Sequence, residues 1–355
     1  MSLLKGYATR RGTGHYRDTH LRGRDHFCER EGLYFSTVGI GTYLGEASDE
    51  VDDLYFEAIK VAIVEGCNVI DTALNHRGMR SERIIGRALR ALSKEDGHIR
   101  EGLIISSKSG FIPGDGERCK SPVKDRLFLE RGVIDQEDIE FGHSINPEFI
   151  RESLELSLEN LQLETIDIYF LHNPETQLER WTSEEFYRSL RDAFQCLEDL
   201  VKEGKLRMYG TATWSGYRAD CNAPDYLSLE RVRKAAQTTT AGKNHHFRVI
   251  QLPISLLMPE AYLKRNQRFR GKWYTTLELA ERLGLVVFSS RTIDKGREYP
   301  GISIAKRIQV VRSLRGVTSC LVGMKNPEHV KENLRVVGLG KMPPSELKEA
   351  MTIGS

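Results

Sequence analysis

The sequence predicts a single-domain α/β protein, a (β/α)8 TIM barrel with an N-terminal extension and a long loop after the third strand. Two observations predict it. Short apolar, β-branched runs alternate with longer amphipathic stretches, and such alternation implies a parallel sheet covered by helices. The alternation repeats eight times, and eight units close into one barrel. A doubly wound open sheet ranks second, because it usually carries a Gly-rich phosphate turn after its first strand. The early cluster Gly39-Ile40-Gly41 lacks a third glycine at that spacing.

The first strand is expected at Tyr34–Val38, followed by a helix at Asp49–Val64. Ser48 precedes that helix as N-cap, since its hydroxyl can accept from a free amide of the first turn. Asn68–Ile70 and Ser81–Leu92 form the second pair, Leu103–Ser106 and Pro147–Leu161 the third. In that third helix Ile150, Leu154, Leu158 and Leu161 fall on one stripe at helical period, behind Asn146 as cap. Ile166–Leu171 pairs with Ser183–Glu203, capped by Ser183. Met208–Thr211 with Leu227–Thr238, Val249–Leu252 with Thr276–Arg282, Leu285–Ser289 with Ile304–Leu314, and Cys320–Val322 with Pro327–Val336 complete the count.

Residues 34–345 are assigned to the barrel. Residues 1–33 form an N-terminal arm that caps the barrel floor or makes a hairpin, and its basic stretch Thr9–Arg24 reads as solvated. Residues 111–146 exceed a minimal barrel connection. A loop of that length in a compact domain is usually functional or disordered, and after strand three it would lie at the catalytic face as a substrate lid.

Composition removes several function classes. The 52 basic and 50 acidic side chains nearly cancel to +2, so no global field draws nucleic acid or an anionic membrane. Hydrophobic residues at 39% and charged residues at 29% suit a globular chain with a core. No apolar run approaches a bilayer span, and the opening Met-Ser-Leu-Leu-Lys-Gly is too short for a signal peptide. The six cysteines form no C-x-x-C pair and no metal spacing. A cytoplasmic protein with reduced thiols and no metal is expected. Adjacent His245 and His246 would point apart on an extended segment; Trp273-Tyr274 reads as packing and Lys264–Arg270 as a solvated loop. Oligomeric state leaves no signal.

In such a barrel, polar residues at the C-terminal ends of strands face the active site. Asp71 follows Asn68–Ile70, Lys108 follows Leu103–Ser107, and His172 follows Ile166–Leu171. Gln251 ends Val249-Ile250. Alone, a strand-end Asp caps a helix and a Lys reaches solvent; three titratable groups at successive strand ends around one mouth point to chemistry.

The chain resembles the aldo-keto reductase family from about Ser36 to about Val336. The resemblance rests on Val38-Gly39-Ile40-Gly41-Thr42, Ile70-Asp71-Thr72-Ala73, Ser81 through Leu89, Ser106-Ser107-Lys108-Ser109-Gly110, Ile166 through Glu175, Leu200 through Arg207, and Gly316 through Leu334, in that order and spacing. It implies reduction of an aldehyde or ketone with a nicotinamide cofactor, NADP with NAD also open, and a small carbonyl or alcohol as substrate. Asp71, Lys108 and His172 match three of the family's four catalytic positions. The family's Tyr, five residues after the Asp, is here His76. A Tyr with pKa about 10 holds a proton to donate, whereas an imidazole near 6.5 beside Lys108 is pushed lower. A neutral imidazole still donates a hydrogen bond to an oxyanion.

Three readings follow. His76 substitutes for the Tyr, or His172 is the acid with His76 assisting, or the fold is reused for nucleotide sensing or for non-redox chemistry at the histidine pair. The resemblance also assigns the cofactor residues. Gly41, Thr42 and Asp71 lie at the first two strand ends, and Thr213 and Gln251 match the carboxamide site, with Ala212-Thr213 where the family has Ser-Asn. Ser289, Ser290 and Arg291 suit a pyrophosphate through hydroxyls and a fork-like cation. The family's stacking aromatic falls on Ser290, or on Phe288 in a shifted register. At the adenosine end Glu332 and Asn333 match the family's adenine contacts, His329 stands where the family has an Arg, and Lys325 is the clear cation nearby, beside a helix N-terminus that favours a phosphate.

Overall fold

A computed structural model describes residues 3–114, 128–240, 244–298 and 301–352. Eight parallel strands close into a barrel: β3 (Val38–Gly41), β4 (Val69–Asp71), β5 (Ile104–Ser109), β6 (Ile166–His172), β7 (Leu206–Ala212), β8 (Phe247–Pro253), β11 (Val286–Ser290) and β12 (Ser319–Gly323). The ring shuts where β12 pairs with β3, Val322 opposite Ile40. Helices α2 (Asp49–Val64), α3 (Arg80–Glu95), α6 (Pro147–Leu161), α7 (Ser183–Lys202), α8 (Leu229–Thr239), α10 (Thr276–Arg282), α11 (Ile304–Ser313) and α12 (Pro327–Leu334) follow the eight barrel strands in turn. Shorter helices α4 (Ile99–Gly102), α5 (Gln136–Phe141) and α9 (Glu260–Leu263) lie in the connections, and α13 (Pro344–Thr352) follows the last barrel helix. This is the (β/α)8 TIM barrel the alternation predicts.

Alternate strand residues face opposite ways, and two cores result. Val69, Ile104, Ile168, Phe170, Val286 and Phe288 fill the barrel interior. Tyr55, Ile85, Leu154, Leu197 and Val311 belong to the larger cluster that includes the covering helices.

The expected first strand is displaced. Leu33–Ser36 (β2) pairs antiparallel with Phe27–Arg30 (β1), and the barrel begins at Val38. Phe35 from this hairpin reaches the interior cluster, its ring 6.0 Å from that of Phe288. The glycines of Gly39-Ile40-Gly41 hide the strand from propensity reasoning. Gly39 is needed because a Cβ there would lie 2.9 Å from Leu321 and 3.0 Å from Val69.

The stretch Thr9–Arg24 is not simply a solvated arm. Thr9 caps helix α1 (Arg10–His20), which buries Thr13 and Tyr16. The Ala8 amide donates to Asp167 Oδ1 at 2.7 Å, and Asp167 also pairs with Arg100 at 2.8 Å. Helix α7 is capped one residue earlier than expected. Thr182 rather than Ser183 is the cap, in a reciprocal box with Glu185. Part of Lys264–Arg270 belongs to a hairpin, Gln267–Phe269 (β9) with Lys272–Tyr274 (β10). The middle of the expected lid, 115–127, lies outside the described residues. Beyond it, Phe128, Val133 and Ile134 are buried with Phe149.

One close approach has a measurable consequence. A Cβ on Gly210 of β7 would sit 1.8 Å from the Val249 carbonyl oxygen. Gly210→Ala is therefore expected to destabilise the fold by about 3 kcal/mol. The measurement is the urea midpoint at unchanged slope; a wild-type midpoint would contradict this packing.

Candidate active site

Parallel strands deliver their C-terminal ends to one mouth, and registers decide which residues share a level. Asp71 lies opposite Ser106, Lys108 opposite Phe170, His172 opposite Ala212, and Ala212 opposite Gln251. A cavity of about 490 Å³ opens there, and Asp71, His76, Lys108 and His172 all line it.

Lys108 Nζ donates to Asp71 Oδ2 at 2.7 Å and to the Thr72 carbonyl at 2.6 Å. Asp71 Oδ1 accepts from Ser106 Oγ at 2.7 Å and from Gln251 Nε2 at 3.0 Å. The pair is almost wholly out of solvent. Burial lowers the Lys108 pKa below the ordinary lysine value, and Asp71 opposes that shift.

His76 stands on the turn after β4. Arg77, Gly78 and Met79 all take positive φ there, at 52°, 62° and 67°. Two of them are not glycine, so the turn is strained and must be held from outside. Arg77 holds it: its buried guanidinium donates to the carbonyls of Glu46 at 2.9 Å and Ser48 at 3.3 Å, and to Asp52 Oδ1 at 2.6 Å.

The His76 and His172 rings lie 6.0 Å apart. Burial, then the Lys108 charge, then the other imidazole lower the His76 pKa well below its ordinary value. Burial, Lys108 and His143 do the same for His172. Both Nδ1 atoms are buried without a hydrogen-bond partner. The site thus presents two neutral imidazoles beside a buried ion pair.

His143, at the far end of the long connection, is not on the cavity wall. Gln177 Nε2 donates to its Nδ1 at 2.8 Å, which leaves His143 Nε2–H to donate to the His172 carbonyl at 2.7 Å. Phe111 packs edge-on to both rings, 5.0 Å from His172 and 5.1 Å from His143. The foot of the long connection thereby braces the catalytic face.

Of the residues assigned to the cofactor, Gly41, Thr42, Thr213, Gln251, Ser290 and Arg291 line the cavity with Asp71. Thr213 Oγ1 and Arg291 Nε are buried without partners, so both have hydrogen-bonding capacity to spare. Ser289 does not face the cavity. It is fully buried, and its hydroxyl is shared with Thr292 Oγ1 at 3.0 Å. Phe288 is likewise inside the barrel, so Ser290 holds the mouth position. Lys325, His329 and Glu332 are exposed beyond β12 and Asn333 is buried; none of the four lines the cavity. Tyr43, Phe111 and Trp214 line it, and sequence reasoning gave them no role. Their only signal was position, each lying just past the end of a barrel strand.

Among the described residues, no group of three His, Cys, Asp or Glu could hold a metal ion, and no helix is long and apolar enough to cross a membrane.

The depressed histidines also set a pH dependence. Burial pushes His143 down to about 4, and burial and neighbouring charge lower His76 and His172. Between the folded and unfolded values the unfolded chain binds more protons, so stability rises with pH. The contribution is complete above about pH 6.5 and is lost as pH falls below it, by at most about 1.4 kcal/mol per pH unit for each imidazole. Between about pH 7 and about pH 4.5 the thermal midpoint of wild type is expected to lose more on acidification than that of His143→Gln, the difference being the His143 share. Equal losses would contradict the assignment of His143 as a buried neutral group.

Residues 37–236 match the family model described as the aldo/keto reductase family. The NADH-specific methylglyoxal reductase of Escherichia coli (strain K12) is 31% identical over 186 residues, 51% of this chain. The match spans 49% of that relative's length. Among solved structures, an aldo/keto reductase from Klebsiella pneumoniae in complex with NADP and acetate superposes with TM-score 0.60 at 19% identity, over 91% of this chain and 93% of that one. The glycerol dehydrogenase of Gluconobacter oxydans gives 0.63 at 19%, over 93% and 95%. These two likenesses speak to the barrel; the family model spans more than half of the chain. With Asp71, Lys108 and His172 gathered at the mouth of that barrel, the chain belongs to the aldo/keto reductase family.

Proposed function

We propose that the chain transfers hydride between a nicotinamide dinucleotide and a small carbonyl or alcohol substrate. His76 and His172 form the oxyanion pocket, and Lys108 and Asp71 tune it. The observation that carries this reading is the buried Lys108–Asp71 pair meeting two neutral imidazoles in one cavity. The same cavity has room and unmet polar groups for the cofactor. Thr213 Oγ1, buried without a partner, and Gln251 suit the carboxamide. Arg291, Ser290, Gly41 and Thr42 suit the pyrophosphate side. Lys325, His329, Glu332 and Asn333 take the adenosine end. The cofactor is a nicotinamide dinucleotide, NADP with NAD also open, Lys325 being the cation assigned to a 2′-phosphate.

When bound, the cofactor supplies the hydride. The chain holds the carbonyl oxygen and neutralises the charge that develops on it. Neutral imidazole N–H groups aimed at that oxygen stabilise it. The Lys108 ammonium lines the same cavity, and its proton, which burial loosens, is the one the developing alkoxide takes. Tyr43, Phe111 and Trp214 shape the apolar wall around the substrate.

The test mixes purified protein with NADPH or NADH and a panel of aldehydes that includes methylglyoxal, following absorbance of the reduced cofactor. Turnover that disappears in His76→Ala supports the proposal. Tight nucleotide binding with no turnover on any carbonyl would make the chain a nucleotide-binding barrel instead. No affinity for either nucleotide would remove the reading altogether.

A further inference from the structure

A chain leaving a barrel strand loses its ladder, and its next amides need acceptors elsewhere. After β7 this happens at Trp214, Ser215 and Gly216. Thr213 N still donates to the Gln251 carbonyl at 2.8 Å. The next three amides converge on one atom: Glu175 Oε1 accepts from Trp214 N at 2.6 Å, Ser215 N at 3.1 Å and Gly216 N at 3.3 Å. Glu175 is 4% exposed and its Oε2 is buried without a partner. It follows His172-Asn173-Pro174, where Asn173 takes φ 48° and its amide donates to the Ala212 carbonyl at 2.6 Å. One short segment therefore carries a catalytic-face histidine at one end and, at the other, the clamp on the neighbouring strand's exit.

We propose that Glu175 is a positioning residue, whose carboxyl gathers the Trp214, Ser215 and Gly216 amides and so sets Thr213 and Trp214 for the nicotinamide end of the cofactor beside His172. It touches neither substrate nor cofactor. Its oxygen replaces a ladder that the strand exit cannot have and ties three successive amides to one acceptor. Burial pushes the Glu175 carboxyl up to about 7, against the three amides that favour its charged form. Gln, with the same reach and a carbonyl oxygen, can replace it; Asp, one methylene shorter, cannot reach all three amides.

The inference rests on the proposed cofactor site for its binding arm alone. Trp214, 46% exposed, is one of three tryptophans with Trp181 and Trp273, so it reports the clamp directly. The experiment compares full-length wild type, Glu175→Ala, Glu175→Asp and Glu175→Gln. Emission is read without nucleotide, with Trp214→Phe identifying the Trp214 component, and NADPH affinity is then read by quenching. Ala and Asp are expected to shift the Trp214 emission and to weaken NADPH binding about tenfold, a loss worth about 1.4 kcal/mol. Gln is expected to keep both within about twofold, a level below one hydrogen bond's worth. Wild-type emission and affinity in Asp would overturn the proposal, as would equal losses in Gln and Asp. If Ala does not fold, Asp and Gln decide the matter between them. If wild type binds no nucleotide, the proposed function fails, while the emission shift still tests the clamp.

Discussion

Replacing Lys108 with Met is expected to cost the folded protein about 3–5 kcal/mol, because it leaves a buried carboxylate without its counter-charge. Asp71 would keep Ser106 and Gln251 as donors, but neither carries charge. Turnover should fall by a factor of about 10³, the range of a lost acid–base group. The double variant Asp71→Asn with Lys108→Met should regain most of the stability, since an apolar or neutral pair at a buried site is often no worse than the ion pair. It should regain none of the activity. Urea unfolding of the two variants separates the effects. A wild-type midpoint for Lys108→Met would mean that the 2.7 Å pair does not hold the mouth together.

His76→Ala is expected to lower kcat by a factor of about 10²–10⁴ with NADPH affinity unchanged within about twofold, a difference of under 0.5 kcal/mol. The strained turn is held by Arg77 rather than by His76, so the variant should fold. Because both imidazoles are already neutral at neutral pH, the wild-type rate should show no inflection near the ordinary histidine value of about 6.5. An inflection there would assign the proton transfer to an imidazolium and sink the neutral-donor arrangement. His76→Tyr restores a hydroxyl donor in the same turn. A rate above wild type in that variant would say the histidine pair is tuned away from simple carbonyl reduction.

Much of the fold was legible because it depends on local periodicity. Helices Asp49–Val64, Pro147–Leu161 and Thr276–Arg282 have the bounds the sequence predicts. Apolar stripes and cap residues are short-range signals, so they survive without knowledge of the neighbours. The first strand failed for the complementary reason. Gly39 and Gly41 have poor strand propensity, yet glycine is what β12 and β4 leave room for at Gly39. The N-terminal helix was missed because its basic surface hides two inward residues, Thr13 and Tyr16, whose partners are distant in the chain. Tyr16, for example, donates its hydroxyl to the Ile63 carbonyl.

For the site, the sequence by itself determined the chemistry of the side chains: an aspartate, a lysine and a histidine at the ends of three strands, with a second histidine five residues after the aspartate. Strand ends are local features, and parallel closure sends them all to one mouth. Only the tertiary structure decided the neutral form of both histidines, the burial of Ser289 away from the cavity, and the use of Glu175 and Arg77 as anchors. Each of these depends on burial, or on a partner dozens of residues away, and neither leaves a mark on the residue's own neighbours in the chain.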